Sequence, residues 1–223
     1  MIKAIFYKER IKTQWYLLLA LIVSTGFALY ADMRVARAAA MNGIGHLWEV
    51  MLQRDAIFID SLQYVPLILG IGLAIVQFAP EMHHKCLKLT LHLPIRAYRA
   101  IGWMLGYGVA AIIVMFIPAV AILCVYLQQV MAPELWHRII LTAMPWYLAG
   151  AAAYLLTAWI CLEPTWKMRV VDTLIAVLVI KVYFLAPAPE AYNSILPWLT
   201  IVTLLFALLP MLSVTRFRDG RQD

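Results

Sequence analysis

Long uncharged stretches alternate with short charged clusters along this 223-residue chain, and no other feature limits its fold as strongly. A helix that crosses a membrane needs about 20 predominantly apolar residues. The uncharged stretch between Lys12 and Asp32 has nineteen residues, and that between Asp60 and Glu81 has twenty. The chain is 65% hydrophobic and 13% charged. Soluble domains average roughly 45–50% apolar and about 25% charged residues, so a soluble fold of this length would leave apolar surface uncovered.

Four further stretches complete a prediction of six spans. Three are uncharged, at 100–133, 139–162 and 191–215, and the fourth, at 173–189, is interrupted by Lys181. We therefore predict an all-α, polytopic membrane protein with a single transmembrane domain over 1–223. Its parts are an N-terminal cytoplasmic helix at 1–13, an outer segment at 32–60, a cytoplasmic segment at 81–99, and spans at about 14–31, 61–80, 100–127, 139–161, 169–187 and 196–214.

The distribution of basic residues predicts that both chain ends are cytoplasmic. With the N-terminus inside, the inner segments hold thirteen Lys and Arg residues and the outer segments four, while Lys181 is the eighteenth. The formal charge of +6 therefore follows from membrane topology, and no nucleic-acid partner is expected.

The sequence contains no motif of a hydrolase. The phosphate loop GxxxxGK[ST], GxSxG and HExxH do not occur. The three cysteines form no CxxC pair, so neither a zinc site nor a disulfide framework is indicated. Adjacent His83 and His84 would point about 100° apart on a helix, which makes a metal or haem site there the less favoured interpretation. We expect no catalytic residue, metal or cofactor in this chain.

Lys181 lies inside the fifth predicted span. If that helix begins near Arg169, Lys181 lies about 18 Å along it, just past the middle of a ~30 Å hydrocarbon core. Charges in spans are costly and often functional, which makes Lys181 a candidate for a substrate pathway. The alternative is that its long side chain snorkels to the outer interface or pairs with an acid.

Two other local patterns predict structure. Gly102-xxx-Gly106, with Gly108, in the third span and the small residues 149–153 in the fourth favour close helix packing within the subunit. In the outer segment, Asn42-Gly43 begins a breaking sequence, and 46–52 mixes apolar and polar residues. We expect a short surface helix at 46–52, or a loop that only closes the hairpin.

The cytoplasmic segment after the second span carries the most informative pattern. It begins with Glu81, and Leu87, Leu91 and Ile95 recur at four-residue spacing, which predicts an apolar stripe on a short helix. Such a helix is suited to dock in the groove of a soluble partner or to rest on lipid headgroups.

These residues resemble the membrane subunit of ABC-2 type transporters, with the small six-span members as the nearest size class. That family has an acid after the second span, leucines, and a proline about thirteen residues after the acid. Lys85 and Cys86 stand where Gly-Thr is usual, and Phe6 to Arg10 is similar to the family's opening helix. The matching acid, leucines and proline are Glu81, Leu87, Leu91 and Pro94.

The resemblance implies a permease that forms the translocation pathway and couples to a separate ABC ATPase subunit. A second permease subunit, identical or different, would complete the pathway in the lipid of a bacterial inner membrane, and export is the usual direction. ATP and Mg would bind the ATPase, so this chain would not be an enzyme. The residues that would couple to the ATPase are Glu81, Leu87, Leu91, Pro94 and Arg96.

Two other classes of function compete with a permease. One is a membrane anchor or assembly factor that holds partners without transporting anything. The other is an intramembrane enzyme or haem-binding redox subunit, which is disfavoured because all five histidines fall in predicted loops or at span ends. A copurifying ATPase would distinguish a permease from an anchor or assembly factor. An absorption spectrum would test for a haem-binding redox subunit.

Overall fold

The computed structural model describes residues 2–43, 49, 51, 58–83, 97–186 and 188–218. Within these ranges the chain is helical and contains no strand, which confirms the all-α prediction. The helices are α1 (Ile2–Asn42), α2 (Val65–His83), α3 (Ala97–Val130), α4 (Pro133–Leu162), α5 (Trp166–Val182), α6 (Leu196–Leu205) and α7 (Leu209–Arg218), with 3₁₀ turns at Asp60–Leu62 and Phe206–Leu208.

Five helical segments of the described chain are long and apolar enough to cross a membrane. They cover Ile2–Met41, Asp60–Met82, Tyr98–Val130, Pro133–Leu162 and Leu196–Phe217. The fifth predicted span, 169–187, is not among them, because α5 has only 17 residues. That length corresponds to about 26 Å, less than the ~30 Å hydrocarbon core. A membrane protein is supported, whereas a sixth span and cytoplasmic chain ends stay predictions.

Helix α1 continues past the predicted end of the first span. It runs without interruption from Ile2 to Asn42, so the predicted N-terminal helix and first span are one element. At its end Gly43 has φ +78°, and its N–H donates to the Ala39 carbonyl at 3.0 Å, a left-handed C-terminal cap that glycine favours. This confirms the break at Asn42-Gly43. The predicted helix at 46–52 falls almost wholly outside the described residues.

The last apolar segment is interrupted ahead of Pro210. Proline has no N–H, so the carbonyl of Phe206 loses its usual α-helical donor. The N–H of Leu209 donates to that carbonyl instead, which forms the 3₁₀ turn between α6 and α7. The segment is therefore two short helices joined by a 3₁₀ turn rather than one continuous helix.

Helices α2 and α4 form the most extensive contact in the described chain, and they run parallel. Gly70 lies against Gly150 so closely that a Cβ at Gly70 would be 2.1 Å from the Gly150 carbonyl oxygen. Further along both helices, the Tyr154 hydroxyl donates to Oε1 of Gln77 at 2.9 Å. The predicted small-residue patch on α4 is therefore a helix contact within the subunit.

The glycine pair predicted to pack on α3 does not make the close contact. A Cβ at Gly102 would meet its nearest neighbour at 3.7 Å, and one at Gly106 would meet nothing within 4 Å. The close approach is at Gly108, where the Tyr154 hydroxyl occupies the space that a Cβ would need. Glycine spacing alone does not reveal which face of a helix meets a neighbour.

Both described ends of the chain lie at the same end of the bundle, here called the charged end. There the start of α1 meets the end of α2 through Lys12 and Glu81, and the end of α7 meets the end of α4 through Arg216 and Glu163. Because α2 and α4 are parallel, Glu81 and Glu163 lie at a common end.

Helix α5 leads away from the charged end to the opposite end. It begins just after Glu163, and the chain beyond it reaches the far ends of α2 and α4. Phe184 stacks on Tyr64 with ring centroids 5.3 Å apart, and the N–H of Glu190 donates to Oγ1 of Thr142 at 3.2 Å. The chain thus traverses the bundle at α5 although the helix itself is short.

The buried core lies among α1 to α4, while α5 and α6 expose large apolar side chains. Leu174 and Leu178 of α5 and Trp198 and Leu204 of α6 are each more than 60% exposed. So many exposed large apolar side chains suit contact with lipid.

Candidate functional site at the charged end of the bundle

Glu81 ends the second predicted span and begins the predicted coupling segment. Its side chain is 1% exposed, and its Oε1 lies 2.7 Å from the Lys12 ammonium and 2.8 Å from the Lys8 ammonium. Both lysines belong to the first four turns of α1. A buried carboxylate that lost its partners would be strongly destabilising, so these ion pairs fix the end of α2 against α1.

A second buried acid shares one of the lysines. The Lys12 ammonium lies 2.8 Å from Oε1 of Glu9, and it also donates to the Gln77 carbonyl at 3.2 Å. Glu9 is fully buried. Lys12 therefore lies between two carboxylates, and Lys8 supplies the second positive charge. The lysine–glutamate cluster, defined as Lys8, Glu9, Lys12 and Glu81, is electrically balanced.

A polar network extends from this cluster into the bundle and joins four helices. The Thr13 hydroxyl donates to the Glu9 carbonyl at 2.9 Å and lies 2.7 Å from the Tyr107 hydroxyl. Gln77 Nε2 donates to the Met104 carbonyl at 2.8 Å. With the Tyr154 bond to Gln77, the network links α1, α2, α3 and α4. Buried polar groups that are satisfied in this way specify one arrangement of the helices.

A different set of contacts holds Glu163, the acid after α4. Glu163 is fully buried, and its carboxylate accepts hydrogen bonds from the Ser213 hydroxyl and, at 3.3 Å, from Thr165. Arg216 lies 3.4 Å away, and Arg169 Nε donates to the Glu163 backbone carbonyl at 2.7 Å. The Glu163 cluster, defined as Glu163, Thr165, Arg169, Ser213 and Arg216, joins α4, α5 and α7.

A cavity of about 370 Å³ lies between the ends of α2 and α4 at the charged end. It is lined by Ala79 and Met82 of α2, by Cys161 of α4 and by Arg169 of α5. The cavity therefore adjoins the Glu163 cluster through Arg169, and Met82 places it next to the start of the predicted coupling segment.

Of the predicted coupling residues, Glu81 is the one that the structure describes. Leu87, Leu91, Pro94 and Arg96 lie outside the described residues. Lys8 and Lys12 had been assigned to the cytoplasmic face only by their charge, and the structure brings both onto Glu81.

Lys181, the predicted pathway residue, lies in the last turn of α5. Its side chain is exposed. It does not line the cavity between the ends of α2 and α4, nor a second, larger cavity that lies between α1 and α3. An exposed position near the end of an apolar helix suits snorkelling. Contact with a substrate stays a prediction.

The described residues contain no group of three or more His, Cys, Asp or Glu side chains placed to hold a metal ion. The candidate histidine pair is not part of this finding, because the His83 side chain and the whole of His84 lie outside the described residues. His137 is described, and its Nδ1 lies 2.7 Å from the Pro133 carbonyl.

Comparisons with known proteins add no relative: no family model matches the chain, and neither a curated protein nor a solved structure matches it. The resemblance to ABC-2 permeases therefore depends on the sequence residues named above and stays a prediction.

Proposed function

We propose that this chain is the permease subunit of an ABC-2 type transporter. It would form the translocation pathway with a second permease subunit and be driven, for export, by a separate ATPase. The observation that supports this most is the burial of Glu81 and its pairing with two lysines of α1. The predicted coupling segment thus starts from a fixed point rather than from a frayed helix end.

A fixed start matters because coupling requires a movement of the segment to reach the spans. Movement at the start of the segment acts on α2 directly, and on α1 through Lys8 and Lys12. The network through Gln77 and Tyr154 extends the connection to α3 and α4. At its other end the segment joins α3 at Ala97. One displacement would therefore move four helices together.

The proposal includes the arrangement in the membrane. The charged end would face the cytoplasm of a bacterial cell. Helix α5 with the turn after it would be the additional span, fifth in chain order, that brings the total to six. Lipid, or the second permease subunit, would cover the apolar faces of α5 and α6.

Purification of the tagged chain from the membranes of its native host tests the proposal. We expect it to bring down a chain with a GxxxxGK[ST] loop and a Mg-dependent ATPase activity. Glu81→Gln should reduce the coupling of that activity to transport. Glu134→Gln removes an exposed acid at the opposite end and should not. Stable complexes that contain no ATPase would contradict the proposal and favour the anchor or assembly factor.

A further inference from the structure

A cavity of about 680 Å³ lies between α1 and α3, at the end of the bundle opposite the charged end. Leu29 and Met33 of α1 and Ile122 and Val125 of α3 form apolar walls. The polar residues of the lining are Asp32, Tyr126 and Gln129. Cavities of about 300–1,000 Å³ are the size that encloses drug-sized molecules.

Asp32 brings a carboxylate to this apolar cavity. The residue is 5% exposed, and its Oδ1 has no hydrogen-bond partner in the described part of the chain. Arg34 and Arg37 follow on the same helix, but they are rotated from Asp32 by about 200° and about 140° around the axis. Neither of them lines the cavity. An ionised carboxylate with so little solvation is stable only when a cation pairs with it, and it otherwise takes up a proton.

The cavity opens on a side of the bundle where apolar side chains are exposed, as they would be on a lipid-facing side. At its mouth Leu29, Met33 and Val125 are 52%, 57% and 59% exposed. Asp32 lies twenty residues after Lys12, which is about 30 Å along α1 and equals the hydrocarbon thickness. The carboxylate is thus level with the membrane interface, at the depth where the charged head of an amphiphile resides.

We propose that this cavity binds an ammonium group carried on a hydrophobic body, which enters from the lipid. The ammonium pairs with Asp32, and the body lies against Leu29, Ile122 and Val125. The Tyr126 hydroxyl offers a further acceptor for an ammonium N–H. The inference concerns binding alone, so it holds or fails independently of the proposed transport function.

Dansylcadaverine, a fluorescent hydrophobic primary amine, tests the site in phosphatidylcholine nanodiscs that contain the purified full chain. Its N-acetyl derivative has nearly the same body without the charge, and empty nanodiscs correct for partition into lipid. We expect the wild type to bind the amine at least tenfold more tightly than the N-acetyl form. Asp32→Asn should remove that difference, and Glu134→Gln, an exposed acid outside the cavity, should preserve it.

A second variant keeps the test decisive if Asp32→Asn fails to fold. Ala121→Phe fills the cavity from α3 and leaves the carboxylate in place. It should weaken both probes at least tenfold. Equal affinity of the wild type for the two probes, or a tenfold preference retained in Asp32→Asn, would overturn the proposal.

The lipid composition distinguishes two sources of the ammonium group. If the natural occupant is a lipid headgroup, replacing half of the lipid with phosphatidylethanolamine should lower the apparent affinity for dansylcadaverine severalfold by competition. If it is a free hydrophobic amine, the affinity should stay unchanged. Either result identifies the source for a site that binds ammonium.

Discussion

The two buried carboxylates at the charged end are held in different ways. Glu81 is paired with two lysine ammonium groups at 2.7 and 2.8 Å, which both come from the N-terminal turns of α1. Glu163 accepts hydrogen bonds from Ser213 and Thr165. Among the described residues the cation paired with its carboxylate is Arg216, which lies at 3.4 Å with a side chain that is 37% exposed.

Acids at equivalent ends of two parallel helices therefore attach different parts of the chain to the bundle. The Glu81 pairs attach the N-terminal helix, and Glu81 is the first residue of the predicted basic coupling segment. The Glu163 contacts attach the C-terminal helix, and the chain turns into α5 three residues later. Charge should therefore dominate the stability of the first region, and hydroxyl hydrogen bonds that of the second.

Removal of Lys12 should have the largest effect. Lys12→Met leaves Glu9 without its cation and Glu81 with only the more exposed Lys8. We expect the free energy of unfolding to fall by about 3–5 kcal/mol, measured by SDS titration in mixed micelles. Lys8→Met is the control, because the Lys8 side chain is 42% exposed and should contribute no more than about 1 kcal/mol. Equal losses would show that Lys12 does not bridge the two acids.

The contact between α2 and α4 places the two regions side by side, and Gly70→Ala should disturb both. Its methyl group would meet backbone rather than a flexible side chain. We expect a loss of about 2–3 kcal/mol in the same titration. Gly106→Ala is the matched control, since its Cβ meets nothing within 4 Å and should be tolerated. An unchanged midpoint for Gly70→Ala would contradict the parallel packing.

Ser213→Ala should destabilise the Glu163 region more than removal of its cation does. The buried carboxylate would lose a hydrogen bond from a neighbouring hydroxyl, which corresponds to about 1.5–2 kcal/mol. Arg216→Gln should cost less than about 1 kcal/mol, because that pair is long and partly exposed. If Arg216→Gln cost more stability than Ser213→Ala, the Glu163 region would be held mainly by charge, as the Glu81 region is.

Salt should have the smallest effect on stability, and its effect should distinguish the contribution of Lys8 from that of Lys12. Exposed ion pairs are screened within about 3 Å at 1 M salt, whereas buried pairs are screened much less. The stability difference between wild type and Lys8→Met should therefore approach zero in 1 M NaCl, while that for Lys12→Met persists. Comparison of unfolding curves at 0.05 and 1 M NaCl measures both.

Features set by local sequence could be predicted. Helix positions follow from uncharged length, and the end of α1 follows from Gly43, because each depends on residues close together in the chain. The pairing of Lys12 with Glu81 joins residues 69 positions apart, and the sequence contains many other basic residues that could equally have been its partner. Only the packing of α1 on α2 selects these two.

The Glu163 region was missed for a related reason, although a signal existed. Glu163 ends an uncharged stretch just as Glu81 does, but no family pattern marked it. Gly150 lies in the small-residue patch that was predicted to pack, but its partner Gly70 was not predicted, because only the neighbouring positions of α2 and α4 bring the two glycines together. The fifth span was predicted to reach residue 187, whereas α5 ends at Val182, because Tyr183 to Ala186 continue the apolar composition without continuing the helix.

Photocrosslinking tests the proposed coupling most directly. A benzophenone amino acid at Leu91, in the predicted coupling segment, should yield an adduct with a copurifying ATPase upon illumination. The same probe at Met41, 78% exposed at the opposite end of α1, should yield none. The account would be contradicted if the probe at Leu91 gave no ATPase adduct, or if the two positions gave equal amounts of it.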